Sequence, residues 1–326
     1  MAEYRGVTST GQQPESGGLS LRLTRAEVAV LAQLLGGANL HHLLWLSRPG
    51  GAETEAGLNL EGEFPPQALE AARATLQERR LLATAGRGLL QIDYGALALV
   101  GTCAAPHLSL RYSALIGEAV PRERTFHHLA EMVVEHLVEA GGEHRFTAFT
   151  SPLELYTHVA SLIHLASQPR PAGQEFGLTL RLEREAWVAA VNDGALGVRH
   201  VLREARVEPI SARSLARAMA NPRALTQFLA FQHHPEEHAP VSLGNLTLLE
   251  GPAGFWAFVQ DDPDSDDLDV RPLAAHDVDA MLAVAVGLMG WAGPAAAAHP
   301  PPSGSRRGLD PGRGPAGWHG GQASPR

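Results

Sequence analysis

Two stretches far apart in the chain carry nearly the same pattern. "LSLRLTRAEVAVLA" begins at Leu19, and "LTLRLEREAWVAAV" begins at Leu178. In each, alternate leucines (Leu19, Leu21, Leu23; Leu178, Leu180, Leu182) mark a half-buried strand, whose side chains repeat every second residue. Each strand runs without a loop into apolar positions at helical spacing. In the first copy Thr24 and Glu27 stand at the spacing of a capping box, where each side chain accepts a backbone N–H of the other. Val28, Leu31, Ala32 and Leu35 then fall on one helix face. A strand–helix unit used twice predicts an α+β, pseudo-twofold duplicated fold of two related halves.

The segments between the two copies fit that outline. Pro66 opens a helix in "FPPQALEAARATLQERRLLA", with Leu69, Ala72 and Leu76 on one face. "LLATAGRGLLQID" is a hairpin pattern around Gly86-Arg87-Gly88, and Asp93 can cap a helix running through Leu97 and Val100 to Ala104. In "HLSLRYSAL", Leu108, Leu110 and Tyr112 alternate with Ser109, Arg111 and Ser113, as in a half-buried strand. "VVEHLV" and "HRFTAF" pair across a turn at Gly141-Gly142, although Leu129, Met132, Val133, His136 and Leu137 also suit a helix. Ser151, Pro152 and Glu154 start a helix that places Leu153, Tyr156, Ala160 and Ile163 inward. The second half repeats the order: helices across about 183–220, a hairpin at Gly251-Pro252-Ala253-Gly254, a strand at Leu268–Val270, and a last helix with Val278, Met281, Leu282, Ala285 and Val286 inward. The expected division is a disordered 1–18, a first half at 19–170, a second at 171–289, and a disordered Pro/Gly-rich tail at 290–326.

Composition closes several functional classes. The sequence contains no lysine, so all 26 basic residues are arginine. Schiff-base, P-loop and kinase chemistry, each of which needs a lysine, is excluded. The net charge is −9 with no basic run, which disfavours displacement of counterions from a phosphate backbone. A winged-helix DNA-binding regulator is the alternative reading. Its recognition helix at 66–80 would present Glu70, Arg73, Gln77, Glu78, Arg79 and Arg80, a mixed face. Cys103 is the single cysteine, so disulfides and cysteine-rich zinc sites are excluded, and "LVGTCAAP" suits a small buried hydrophobe. The start of the chain lacks the pattern of a signal peptide, and "AMLAVAVGLMGWAG" is too short to span a bilayer. The expected location is the cytoplasm.

The stretch that most resembles chemistry is "QFLAFQHHPEEHAPVS". His234 to His238 matches H-x-x-E-H, so a metallohydrolase using His234, Glu237 and His238 is a second alternative. Pro235 pushes His234 toward extended geometry, the flanks alternate like strands, and no glutamate follows Glu250. The stretch therefore reads as a polar connection between two strands. His233, His234, Glu236, Glu237 and His238 are candidate partner-binding residues there. "DDPDSDDLD" offers Asp262, Asp264 and Asp266 to a cation, but a calcium loop needs glycine and glutamate where Asp267 and Leu273 stand; an exposed acidic turn is expected. His41-His42 and His127-His128 put neighbouring rings on different faces, as solvated or hydrogen-bonded histidines do. No catalytic residue, cofactor or metal site is expected.

The order of elements resembles the EspG-type chaperones of the type VII (ESX) secretion system. The likeness rests on "LRLTRAEVAVLAQLLG", "ALEAARATLQERRLLA" leading to "LLQIDYGALALVG", and the strand "HLSLRY". In the second half it rests on "LTLRLEREAWVAAV" and "FWAFVQDDPDSDDLDVRPLAAHDVDAML". It spans most of 19–289. The resemblance implies a pseudo-twofold α+β fold with central antiparallel strands and two helical, winged-helix-like subdomains, in a cytosolic, non-enzymatic chaperone whose partners are helical secretion substrates of the PE/PPE type. It carries over no individual binding residue, and the Pro/Gly tail departs from the family pattern.

Overall fold

The computed structural model describes residues 19–35, 64–84, 89–116, 122–139, 141–163, 180–207, 209–234, 240–251, 254–260, 265–273, 277–278 and 281–282. Both tails, His41-His42, Gly86-Arg87-Gly88, Leu178, Glu236, Glu237, His238, Asp262, Asp264, Ala285 and Val286 lie outside the described residues.

Strand β1 (Ser20–Leu23) leads directly into α1 (Arg25–Leu34). The junction is the expected capping box: Glu27 N donates to Thr24 Oγ1 at 3.2 Å, and Thr24 N donates to Glu27 Oε2 at 2.7 Å. Helix α1 buries more than the expected stripe. Ala29 and Val30 are as fully buried as Val28, Leu31 and Ala32, because α2 (Pro66–Glu78) and α3 (Tyr94–Ala104) pack on it as well as the sheet. Pro66 opens α2, whose Ala72 and Leu76 face the core. Asp93 caps α3, its Oδ1 accepting from Gly95 N at 2.8 Å and Ala96 N at 3.1 Å. Between these helices β2 (Leu82–Thr84) and β3 (Leu90–Ile92) form a small separate hairpin, which completes the winged-helix-like outline.

The remaining strands join β1 in one sheet of ten, antiparallel throughout. They are β4 (Leu108–Ile116), β5 (Arg122–Leu129), β6 (Met132–Val138), β7 (His144–Phe149), β8 (Leu180–Glu183), β9 (Ala224–Gln232), β10 (Val241–Gly251), β11 (Gly254–Gln260) and β12 (Asp267–Leu273). The spatial order is β1-β7-β6-β5-β4-β9-β10-β11-β12-β8. That order is the same from either edge: each half supplies an edge strand, then helices, then four strands that start at the middle of the sheet and run outward to the edge strand. Strands β4 and β9 meet there, with Tyr112 opposite Phe228 and their rings 5.4 Å apart. The second half places α5 (Arg184–Asn192), α6 (Gly194–Glu204) and α7 (Pro209–Ala220) where the first has α1 to α3. The residues that also suited a helix are strands β5 and β6. Gly142, at φ 79°, turns the chain into β7 with its N–H donating to Glu139 O; glycine reaches this left-handed region without steric cost.

Three cores follow from the layers. One face of the sheet is covered by α4 (Pro152–Ile163) and by the helical residues 277–278 and 281–282, over Phe126, Phe149, Phe228 and Leu248. The other face carries two separate cores. Helices α1 to α3 cover Val134, Phe146 and Ala148, while α5 to α7 cover Leu249, Trp256 and Val270. Leu153 corrects the expectation for α4: it is 72% exposed. The buried stripe is Leu155, Val159, Leu162 and Ile163, spaced i, i+4, i+7 and i+8, and Leu153 lies off it on the first turn. The arginine of each "LRL" has the same role on each edge. Arg22 lies 3.6 Å from Glu139, and Arg181 lies 3.5 Å from Asp269 and 3.6 Å from Asp267, placing charge along both edge strands.

Candidate partner-binding surface

Among the described residues, the two helical layers on the second face of the sheet leave the middle of that face between them. Alternate residues of the central strands point into the gap: Arg111, Ser113 and Leu115 from β4, and Leu225, Gln227 and Leu229 from β9. The even-numbered neighbours, such as Leu110 and Tyr112, lie under α4 on the opposite face. This is the period-2 division visible in "HLSLRYSAL". Leu115 and Leu225 are direct cross-strand partners, each 38% exposed. Polar groups border them. Gln227 donates to Asn245 Oδ1 at 3.4 Å, and Arg111 pairs with Glu123 at 3.0 Å. Along the floor the apolar pair Leu115–Leu225 thus lies at one end of the strands, followed by Ser113 opposite Gln227 and then Arg111 opposite Leu229.

Strand β9 runs along this floor to its border, where the candidate loop begins. The segment from His233 connects β9 to β10, as the sequence predicts. His233 N donates to His107 O at 2.9 Å, and its Nε2 lies 2.9 Å from Ser109 Oγ. The same hydroxyl lies 2.9 Å from His127 Nδ1, so it donates to one ring and accepts from the other. His234 is exposed. The described residues do not bring the metal triad together, because Glu237 and His238 lie outside them. Among the described residues no group of His, Cys, Asp or Glu could hold a metal ion.

His127 and His128 occupy opposite faces of β5, but both are buried, not solvated. His127 belongs to a row that sequence reasoning missed. His136 Nε2 lies 2.9 Å from His144 Nδ1, the two rings stack at 5.1 Å, and His127 stands 6.3 Å from His136. Burial, followed by the charges of His144 and His127, holds His136 well below the ordinary histidine range. Burial and then Arg25 hold His144 at about 4. On the opposite face Glu135 pairs with Arg124 and His158, the latter at 2.9 Å. Burial alone would raise the Glu135 carboxyl. The His158 hydrogen bond, the charges of Arg124 and His158, and the Arg124 hydrogen bond outweigh it and hold the group at about 2. The signal was present in "VVEHLV": in a strand buried on both faces, adjacent Glu and His must each find a partner.

Other features offer little chemistry. Burial pushes the Cys103 thiol well up, as expected of a structural cysteine. Arg79, expected to face outward, turns back to Glu27 at 2.8 Å and to Arg22 O at 2.7 Å, which removes a cation from the outer face of α2. A hollow of about 880 Å³ between α3 and the β5–β6 turn is lined by Leu97, Gly101, Leu129 and Met132, with Glu131 as its ionisable group. Among the described residues no helix is long and apolar enough to cross a membrane.

Neither a model of a known protein family nor any curated protein sequence matches the chain. Among solved structures, the chain is similar to the Mycobacterium tuberculosis type VII secretion system chaperone EspG5, determined in complex with a PE25–PPE41 dimer. The match covers 83% of this chain and 95% of that one, with a TM-score of 0.56 and 14% sequence identity. At that identity the likeness is one of fold: a mixed α and β architecture around a large antiparallel sheet, as in an EspG-type chaperone.

Proposed function

We propose that this chain is a non-enzymatic chaperone or adaptor that holds helical partner proteins, in the manner of the type VII secretion chaperones. The observation that carries the reading is the likeness of fold to a chaperone solved with its protein partner, over most of both chains. The floor between the helical layers supplies the place. A partner helix would lay its apolar face on Leu115, Leu225 and Leu229, and its polar flanks would meet Gln227, Asn245 and Arg111. His233 and His234 stand at the border of that floor, and the reading takes them, with Glu236, Glu237 and His238, as contacts to the same partner. The partner class that fits is a helical secretion substrate of the PE/PPE type, bound in the cytoplasm.

The test is affinity purification from the native host. The tagged chain is expected to recover a helical partner in stoichiometric amount. Leu115→Glu/Leu225→Glu is expected to lose that partner with an unchanged circular dichroism spectrum, and His234→Ala/His238→Ala to weaken its retention. Repeated recovery of the chain alone, or full retention by the Leu115→Glu/Leu225→Glu variant, would sink the proposal.

A further inference from the structure

The two halves pair their strands in the same register, which identifies the residue in one half that corresponds to each residue in the other. Leu23 opposite His144 in the first half is Leu182 opposite Leu268 in the second. His136 opposite Phe146 is Phe258 opposite Val270. His127 opposite Val134 is Leu249 opposite Trp256. The three histidines of the buried row are therefore Leu249, Phe258 and Leu268 in the other half, all members of an apolar core. The architecture works with hydrocarbon at each of these positions. Histidine there gives up hydrophobic stabilisation, makes polar contacts with Ser109 and with a second histidine, and gains a response to protons that the matching hydrocarbons lack.

The surroundings of the row are set to resist a proton and then to yield to it. Helix α1 contributes Arg25, whose charge acts on His144, and Glu27, which is occupied by Arg79 from the end of α2. Helix α3 contributes Cys103, and β4 contributes Ser109, which links His127 to His233 beyond β9. His144 Nε2 is buried without a hydrogen-bond partner. Glu27, the carboxylate in this set, already bonds Arg79 and the backbone of Thr24. A proton on the His136–His144 pair would place a second positive charge beside Arg25, beneath the helix that closes the first-half core.

We propose that the buried row His127–His136–His144 is a proton-operated latch: mild acidification releases the helical layer of the first half from the sheet, while the second half stays packed. The inference does not depend on the partner-binding reading. A histidine held low in the folded state contributes stability in full above its ordinary value, and loses it as pH falls toward the folded value. With His144 at about 4, the opening equilibrium rises by about 30-fold between pH 7.5 and pH 5, before any contribution from His136.

The chain carries its own reporters. Cys103 is fully buried in the first-half core, and Trp187 and Trp256 lie in the second-half core. The rate at which 4,4′-dithiodipyridine labels Cys103 is measured from pH 7.5 to pH 5, each value divided by the rate for the same chain in urea. Trp187 and Trp256 are followed by fluorescence in a background with Trp45, Trp291 and Trp318 replaced by phenylalanine. The expected result is a rise of about 30-fold or more in relative labelling, with the second-half tryptophans still packed. The rise disappears in His136→Phe/His144→Leu, and His144→Leu alone serves the comparison if that pair does not fold. A flat wild-type profile, a rise shared by these variants, or loss of tryptophan packing over the same pH range would overturn the latch.

Discussion

Glu135→Gln isolates the ion network beneath α4, because it removes one charge and almost no volume. In the folded chain the side chains of Arg124 and Glu135 are only 9% and 2% exposed. Taking away the carboxylate leaves a buried guanidinium without its counter-charge, and such breaks cost about 3–5 kcal/mol. A second route gives a similar size. The carboxyl held at about 2, against a reference of 4.5, corresponds to about 3 kcal/mol of stabilisation. The assay is urea unfolding at pH 7, completed by Arg124→Met and the double variant as a cycle. Each single change is expected to be costly, and the double to recover part of the loss, since Leu246 and Ala257 occupy the corresponding register positions of the second half. The pH dependence has a definite sign. A depressed carboxyl contributes fully above its unfolded value and loses that contribution as pH falls through the folded value. The deficit of Glu135→Gln should thus begin to close as pH falls below about 4.5. A loss under about 1 kcal/mol, or a strictly additive cycle, would refute the reasoning.

Thr24→Ala is expected to cost about 1 kcal/mol in urea unfolding, because the Glu27 N–H loses its acceptor and the capping box its first half. Gly251→Ala is expected to cost about 1–3 kcal/mol and to disturb Trp256 fluorescence, because a Cβ there would stand 2.5 Å from Ala218 Cβ and 2.8 Å from its Cα on α7. A stable Gly251→Ala with unchanged fluorescence would show that α7 can move aside.

Much of the fold was legible because its signals are local. The Thr24–Glu27 box, Pro66 at a helix start and Asp93 as a cap each bond within a few residues, so spacing alone exposes them. The strands of "HLSLRY" were legible through alternation, and the mirrored arrangement through the two "LRL" segments. The wrong side of α4 followed from counting inward from Leu153, when the longer stripe begins at Leu155. The floor between the helical layers was not legible. Whether Leu115 and Leu225 are covered depends on how far the helical layers reach across a ten-stranded sheet, and no local pattern records that distance. The histidine row was hidden for a related reason: His127, His136 and His144 sit on three strands and meet only through register.

That register also explains how one architecture holds two interiors of different kinds. On the face under α4, Arg124 and Glu135 stand where the second half has Leu246 and Ala257; on the other face, three histidines stand where it has Leu249, Phe258 and Leu268. Strands β5 to β7 thus bury ionisable groups on both faces, while β10 to β12 bury mainly hydrocarbon at the matching positions. Hydrophobic burial is insensitive to protons, whereas paired or neutralised ionisable groups hold only within a pH range. At these positions the first half carries the pH-dependent contributions and the second half hydrocarbon, although β10 also buries Glu250 where β5 has His128. The two halves are joined at β4 and β9, where Tyr112 packs on Phe228 and donates its hydroxyl to Leu162 O at 3.2 Å.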